Sequence, residues 1–132
     1  FDVNVRGMVF GLQAALPAMG EGGSVVLVGS IADQGGFASY GTYAATKAAL
    51  DALARTYAAE TETTAIRVNL FNPGPIRTTM RAQAVPGEDP QTLETPDGPA
   101  KAILAMCLPD VTETGRLYDY PAKAWKSFQQ PV

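Results

Sequence analysis

The 132-residue sequence contains no histidine, which removes histidine-based nucleophilic triads and the common zinc sites from consideration. Cys107 is the single cysteine, so no disulfide forms within the chain, and its place in the run AILAMCLP reads as a small buried hydrophobe. Any metal would rest on carboxylates. The closest acidic neighbours, Glu88 with Asp89 and Glu60 with Glu62, sit in polar segments that read as solvated surface. No apolar run approaches ~18 residues and no charged-then-apolar leader opens the chain, so neither a membrane span nor a secretion signal is expected, and the expected compartment is the cytoplasm. Basic runs are missing too, and the formal net charge is −3. Nucleic acid and anionic membranes are therefore not expected partners, and a small-molecule substrate is. The chain also lacks an initiator methionine and enters helix-like sequence at once with FDVNVRG, as an interior cut of a longer protein would.

Apolar residues make up 46% of the chain, enough for one domain with its own core, and no linker, repeat or domain boundary interrupts 1–132. Residues 2–19 read as a helix with apolar positions around most of its circumference, a pattern that predicts cover on more than one side. After the breaker GEGG, the β-branched run SVVLVG fits a strand buried on both faces. Residues 31–39, with Gly35 and Gly36, read as a loop. The alanine-rich stretch 40–60 is a long helix, AIRVNLFN a second apolar strand, and Asn72-Pro73-Gly74-Pro75 stops that strand abruptly. Residues 76–96 carry three prolines and form a long polar connection, with a helical turn near 78–84. A helix over 97–108, with Ala100, Ile103, Leu104 and Cys107 on its apolar side, and a short strand over 115–120 complete the pattern; the tail from Pro121 is unassigned. Helix and strand alternate, which predicts right-handed crossovers and a three-layer α/β arrangement with parallel strands.

In such sheets ligands bind beyond the carboxyl ends of the strands. Ser30 closes the first strand, and the Pro73-Gly74 turn closes the next. Tyr43 and Lys47 follow in the 40–60 helix, four residues apart and so on one helix face. An ammonium beside a phenol favours the phenolate, which suits proton transfer at a carbonyl or alcohol near neutral pH. Met80, Val85 and Phe37 are candidate pocket residues in the loops, although apolar loop residues also serve as anchors.

Taken together, these segments resemble the carboxyl-terminal half of the classical short-chain dehydrogenase/reductase family, from Phe1 to about Tyr120. VNVRG is similar to the family's asparagine helix motif, VVLVGS to its serine strand, Tyr43-x-x-x-Lys47 to its tyrosine and lysine, and NPGPIRT to its proline-glycine turn. The resemblance implies a partial Rossmann-like fold without the amino-terminal βαβ half, and an NAD(P)-dependent oxidoreductase that moves hydride between nicotinamide and a carbonyl or alcohol. It implies that Asn4 supports a water and proton relay, Ser30 polarises the substrate carbonyl and Tyr43 donates or accepts the proton. Lys47 would stabilise the phenolate and hydrogen-bond the nicotinamide ribose. Pro73, Gly74, Ile76 and Thr78 would lie against the nicotinamide end of NAD or NADP. It also implies a homo-oligomer built through helices 2–19 and 40–60.

The family's glycine-rich pyrophosphate turn has no counterpart here. Gly20 to Gly23 precede a strand, and Gly35-Gly36 lie in the serine-to-tyrosine loop. The chain is thus expected to hold half a cofactor site and to be inactive alone, with SVVLVG an open sheet edge unless a neighbouring chain or segment covers it. Residues that would distinguish NAD from NADP are expected in the other half. Two alternatives share some of these features. Extended-type sugar-nucleotide epimerases and dehydratases also carry Tyr-x-x-x-Lys, but the short remainder after Lys47 leaves little room for their substrate domain. A non-catalytic assembly module is the other.

Overall fold

The computed structural model describes residues 1–34 and 36–128; Gly35, assigned above to a loop, lies outside the described residues. Four strands, β1 (Ser24–Val28), β2 (Arg67–Asn72), β3 (Leu117–Asp119) and β4 (Ala124–Lys126), form one sheet in the order β1-β2-β3-β4. The first three are parallel, as expected. β4 lies antiparallel to β3 and comes from the tail left unassigned by sequence, where Trp125 packs edge-on against Tyr118 with ring centroids 5.2 Å apart.

The helices divide between the two faces. On one, the 2–18 helix and α2 (Gly41–Glu60) bring Leu12, Leu50, Ala54 and Ala58 onto Leu27, Val68 and Leu70. On the other, α4 (Asp97–Met106) sets Met106, with Ala102 and Ile103, against Val26 and Phe71. Successive strand residues alternate between these clusters, as the period of two requires.

β2 is buried at every residue, and three polar side chains inside it organise the chain that follows. Arg67 donates to the carbonyls of Met106, Leu108 and Val111, at 3.4 Å and 3.0 Å for the first two. A cation there also suits the negative end of the α4 dipole. Asn69 donates to the Glu113 carbonyl (2.7 Å) and accepts from the Arg116 amide (3.1 Å). Asn72 donates to Asp119 (3.0 Å) and accepts from the Gly74 amide (3.1 Å).

Several expectations are corrected. The first helix begins as a π-helical turn (Asp2–Arg6), continues as α1 (Gly7–Ala15) and closes in a 3₁₀ turn (Leu16–Ala18). Within this chain its Leu12 side is buried, while Val3 and Phe10 are exposed. β1 has Val25 and Leu27 against the core on one face and Val26 against the core on the other, and it is the open edge strand that the sequence reading expects when nothing covers it, with Val28 43% exposed. A 3₁₀ turn, Ile31–Gln34, replaces part of the expected loop. Within 76–96 the predicted turn is a short helix, α3 (Thr79–Ala84), capped by the Thr78 hydroxyl, which accepts from the Arg81 amide at 3.1 Å. α4 ends at Met106 and presents Pro99, Ala102, Ile103 and Met106 to the sheet rather than Ala100, Leu104 and Cys107. Cys107 is accordingly exposed, not buried, because it follows the helix end.

Leu70, 1% exposed at the centre of the larger cluster, tests that core. Leu70→Ala should cost about 2–5 kcal/mol, read as a lower urea midpoint with little change in slope. Asp51 on α2 gives a pH-dependent case. Its Oδ1 is buried without a partner, and burial pushes its carboxyl above the usual range, partly offset by Arg55 at 3.6 Å. A raised folded-state value means that the charged form costs stability as pH rises through it, and that the cost vanishes below the unfolded value of about 4. Asp51→Asn should therefore raise Tm at pH 7, with the gain shrinking toward pH 4; a gain that grows on acidification contradicts this.

Candidate active site

The residues singled out by sequence lie on the first helix, on α2 and in the segments that follow β1 and β2. Asn4 is in the π turn of the first helix, where its side chain donates to Thr46 Oγ1 at 3.1 Å. Thr46, buried on α2, donates to the Tyr43 carbonyl at 2.8 Å. Asn4 is thus tied, through one hydroxyl, to the turn that carries Tyr43. The π turn widens the helix by one residue at the position of Asn4, a distortion often found at functional sites.

Tyr43 occupies the first turn of α2 and Lys47 the next. Lys47 Nζ lies 5.8 Å from the centroid of the Tyr43 ring, so the two side chains share one surface. The same ammonium donates to the Val28 carbonyl at 2.9 Å, tying α2 to the end of β1. Burial lowers the Lys47 value from that of a free lysine, and the carboxylate of Asp33 works in the opposite direction. Tyr40 stands edge-on to Tyr43, ring centroids 6.2 Å apart, and forms the side wall of the phenol.

Ser30 follows β1 directly. Its hydroxyl accepts from the Ala32 amide at 3.2 Å and its carbonyl accepts from the Asp33 amide, so the serine shapes the turn that delivers Asp33 toward Lys47. Among the described residues no hydrogen bond joins Ser30 to Tyr43.

Pro73 and Gly74 end β2, the strand next to β1, and therefore lie at the same carboxyl edge of the sheet as Ser30. Gly74 has φ +70°, a left-handed conformation that glycine adopts freely. It also lies against Pro121, whose Cγ would stand 2.5 Å from any Cβ placed there. Ile76 bridges to Glu94, closing the base of the long connection, and Arg77 holds that base by donating to the carbonyls of Pro90 (2.8 Å) and Leu93 (3.0 Å). Higher in the connection, Arg81 forms a two-pronged pair with Glu88 at 2.7 and 2.9 Å. No hydrogen bond among the described residues joins Pro73, Gly74, Ile76 or Thr78 to Tyr43 or Lys47.

A groove of about 250 Å³ lies beside the pair, walled by Asn4 and Met8 of the first helix, Val26 and Val28 of β1, and Lys47 and Leu50 of α2. Met80, Val85 and Phe37, the pocket candidates from the loops, are not among its walls; Met80 and Phe37 are exposed. Thr46 and Asp33 were missed by sequence reading. Thr46 had a usable signal, a hydroxyl inside the Tyr-to-Lys interval, whereas the placement of Asp33 depends on a turn that composition does not specify. Among the described residues no cluster of three or more His, Cys, Asp or Glu is placed to hold a metal, and no helix is long and apolar enough to cross a membrane.

Residues 1–102 match the family model for enoyl-(acyl carrier protein) reductase. The chain belongs to the short-chain dehydrogenase/reductase family. It is 43% identical over 97 residues to an uncharacterised oxidoreductase of Escherichia coli, YciK, a match covering 72% of this chain and 38% of that protein. A short-chain dehydrogenase from Salmonella enterica superimposes with a TM-score of 0.83 at 37% identity, covering 89% of this chain and 50% of the other. Another, from Shigella flexneri and complexed with NADP, does so with a TM-score of 0.82 at 37% identity, over the same shares. The chain thus spans about two-fifths of the length of that curated relative and half of these solved ones. The sheet with helices on both faces is the corresponding part of their Rossmann-like fold.

Of the residues that the sequence reading assigns to the nicotinamide end, Lys47 offers a cation and Thr78 a hydroxyl, whereas the side on which Gly74 lacks a side chain is filled by Pro121. Asp33 supplies a direct test of the Lys47 environment. Removing its charge in Asp33→Asn should lower the Lys47 value further, followed by the pH titration of the Lys47 side-chain NMR signals; a value that stays or rises contradicts the assignment.

Proposed function

We propose that this chain is the catalytic half of an NAD(P)-dependent oxidoreductase that interconverts a carbonyl and an alcohol. The observation that carries this reading is the Lys47 ammonium 5.8 Å from the Tyr43 ring centroid, at the sheet edge where the β1 and β2 strands end. Tyr43 is the proton donor in reduction and the acceptor in oxidation. Lys47, held by Val28 and offset by Asp33, places positive charge over the phenol when it carries negative charge. Ser30 polarises the substrate oxygen. Asn4 acts through Thr46 to hold the Tyr43 turn and supports a proton relay with Lys47. Pro73, Gly74, Ile76 and Thr78 hold the nicotinamide end of NAD or NADP. The nucleotide, when bound, supplies the hydride.

The substrate is a small carbonyl or alcohol compound, admitted on the side of Tyr40 and the Arg81–Glu88 connection. Val3 and Phe10, apolar and exposed on the first helix, support a homo-oligomer in which that helix and α2 pack against a second copy.

In a full-length enzyme containing this chain, Tyr43→Phe should reduce turnover by about 10²–10⁴-fold or more while leaving the affinity for NADPH or NADH nearly unchanged. Nicotinamide fluorescence measures the affinity, and steady-state turnover of a carbonyl substrate the activity. Retained turnover removes Tyr43 from the reaction; loss of nucleotide binding by the unsubstituted full-length enzyme removes the oxidoreductase reading itself.

A further inference from the structure

The segment assigned to the nicotinamide, 73–78, contains two prolines, Pro73 and Pro75, which have no amide to give to the sheet. It is held instead at its two ends. At the front, the Asn72 carbonyl accepts from the Tyr120 amide at 3.0 Å, and the Asn72 side chain donates to Asp119 (3.0 Å) while accepting from the Gly74 amide (3.1 Å). At the back, Ile76 bridges to Glu94, and the Arg77 amide donates to the Glu94 carbonyl at 2.9 Å. A side-chain bond joins the two anchors to each other: the Tyr120 hydroxyl donates to Glu94 Oε1 at 2.6 Å, the length of an O–H···O⁻ bond. The backbone from 72 to 77, Glu94 and Tyr120 thus form a closed circuit around the turn. Tyr120 is 7% exposed and its ring lies against Phe71, centroids 5.9 Å apart, whereas Glu94 is exposed. The buried tyrosine is the fixed end of the bond, and the exposed carboxylate is the end it restrains. Pro121, next in the chain, fills the side of Gly74 that lacks a side chain.

We propose that Tyr120 and Glu94 are positioning residues for the nicotinamide: their bond sets the distance between the two anchors, and so the path of 73–78, before the nucleotide arrives. The inference rests on the oxidoreductase reading above and adds to it two residues that act through the turn rather than on substrate or nucleotide. With the bond made, the turn is preorganised and the nicotinamide ring binds without having to order it. Without the bond, the Asn72 end stays with the sheet while the Ile76–Arg77 end follows the long connection. Part of the ring's binding energy is then consumed in bringing the two ends back together. The rest of the nucleotide does not meet this segment and is insensitive to the change.

The test uses a full-length enzyme containing this chain and whichever of NADPH or NADH it binds more tightly. Beside it stands the matching fragment that lacks only the nicotinamide ring, 2′-phospho-ADP-ribose or ADP-ribose. Tyr120→Phe keeps the aromatic ring against Phe71 and removes the hydroxyl. It should weaken the dinucleotide about tenfold, the worth of a hydrogen bond to a charged group, and leave the fragment within about twofold of the parent. Glu94→Ala should do the same, and the double variant should bind no more weakly than either single one, since both remove one shared bond. Glu94→Gln, which keeps an acceptor oxygen, should restore most of the dinucleotide affinity lost in Glu94→Ala. Ile66→Val, in the other core cluster, is the control: it lowers Tm without touching the turn and should leave both affinities unchanged. The inference is overturned if Tyr120→Phe binds the dinucleotide as the parent does, if dinucleotide and fragment weaken equally, if the two single losses add, or if Glu94→Gln behaves as Glu94→Ala. An unsubstituted enzyme that binds neither NADPH nor NADH overturns the oxidoreductase reading together with this one. A parent that binds, with variants that do not differ from it, overturns this one alone.

Discussion

The burial of β2 constrains everything else in the molecule. A strand with all six residues removed from water must pair its amides and carbonyls on both sides, and must satisfy every polar side chain it contains. β1 meets the first demand on one side, and β3 together with Thr114, Gly115 and Arg116 just before it on the other. The second is met by sending Arg67, Asn69 and Asn72 to backbone groups of the connections around them. Because β1 and β2 run parallel and in register, their carboxyl ends arrive together, and Ser30 and Pro73-Gly74 become neighbours at one edge of the sheet. The candidate site is a by-product of how the central strand is satisfied.

Much of this was readable from residue order. Continuous apolar runs marked the two principal strands, and alanine-rich periodicity marked α2; the Tyr43-to-Lys47 interval placed both residues on one face of it. The face of α4 was misjudged because Ala100, Leu104 and Cys107 are as apolar as Pro99, Ala102 and Met106, and only the position of the sheet chooses between them. Arg67 was hidden inside an apolar run. Its role depends on carbonyls some forty residues later in the chain, and no local pattern announces such a partnership. The short strand expected over 115–120 is β3, but β4 escaped for a similar reason, since three residues offer too short a period to detect.

At the site, the legible part was residue identity and the illegible part was what each residue touches. Spacing predicts that Lys47 reaches Tyr43, yet says nothing of Val28, because that contact depends on where the sheet ends. Likewise Asn4 stood out by resemblance, but its bond to Thr46 requires the π turn and α2 to be packed together. Electrostatics follow the same rule. The opposing influences of burial and Asp33 on Lys47 arise from a 3₁₀ turn after β1, not from proximity in the chain.

Gly98, in the first turn of α4, has no room for even a methyl group: a Cβ there would stand about 2.0 Å from a Glu94 carboxylate oxygen and 2.3 Å from the Tyr120 hydroxyl. Those two groups hydrogen-bond each other at 2.6 Å, joining the end of the long connection to the residue after β3. An alanine at this position, ordinarily a gain for a helix, would wedge the two apart. Helix preference and long-range fastening thus compete for the same few cubic ångströms, and here the fastening has prevailed.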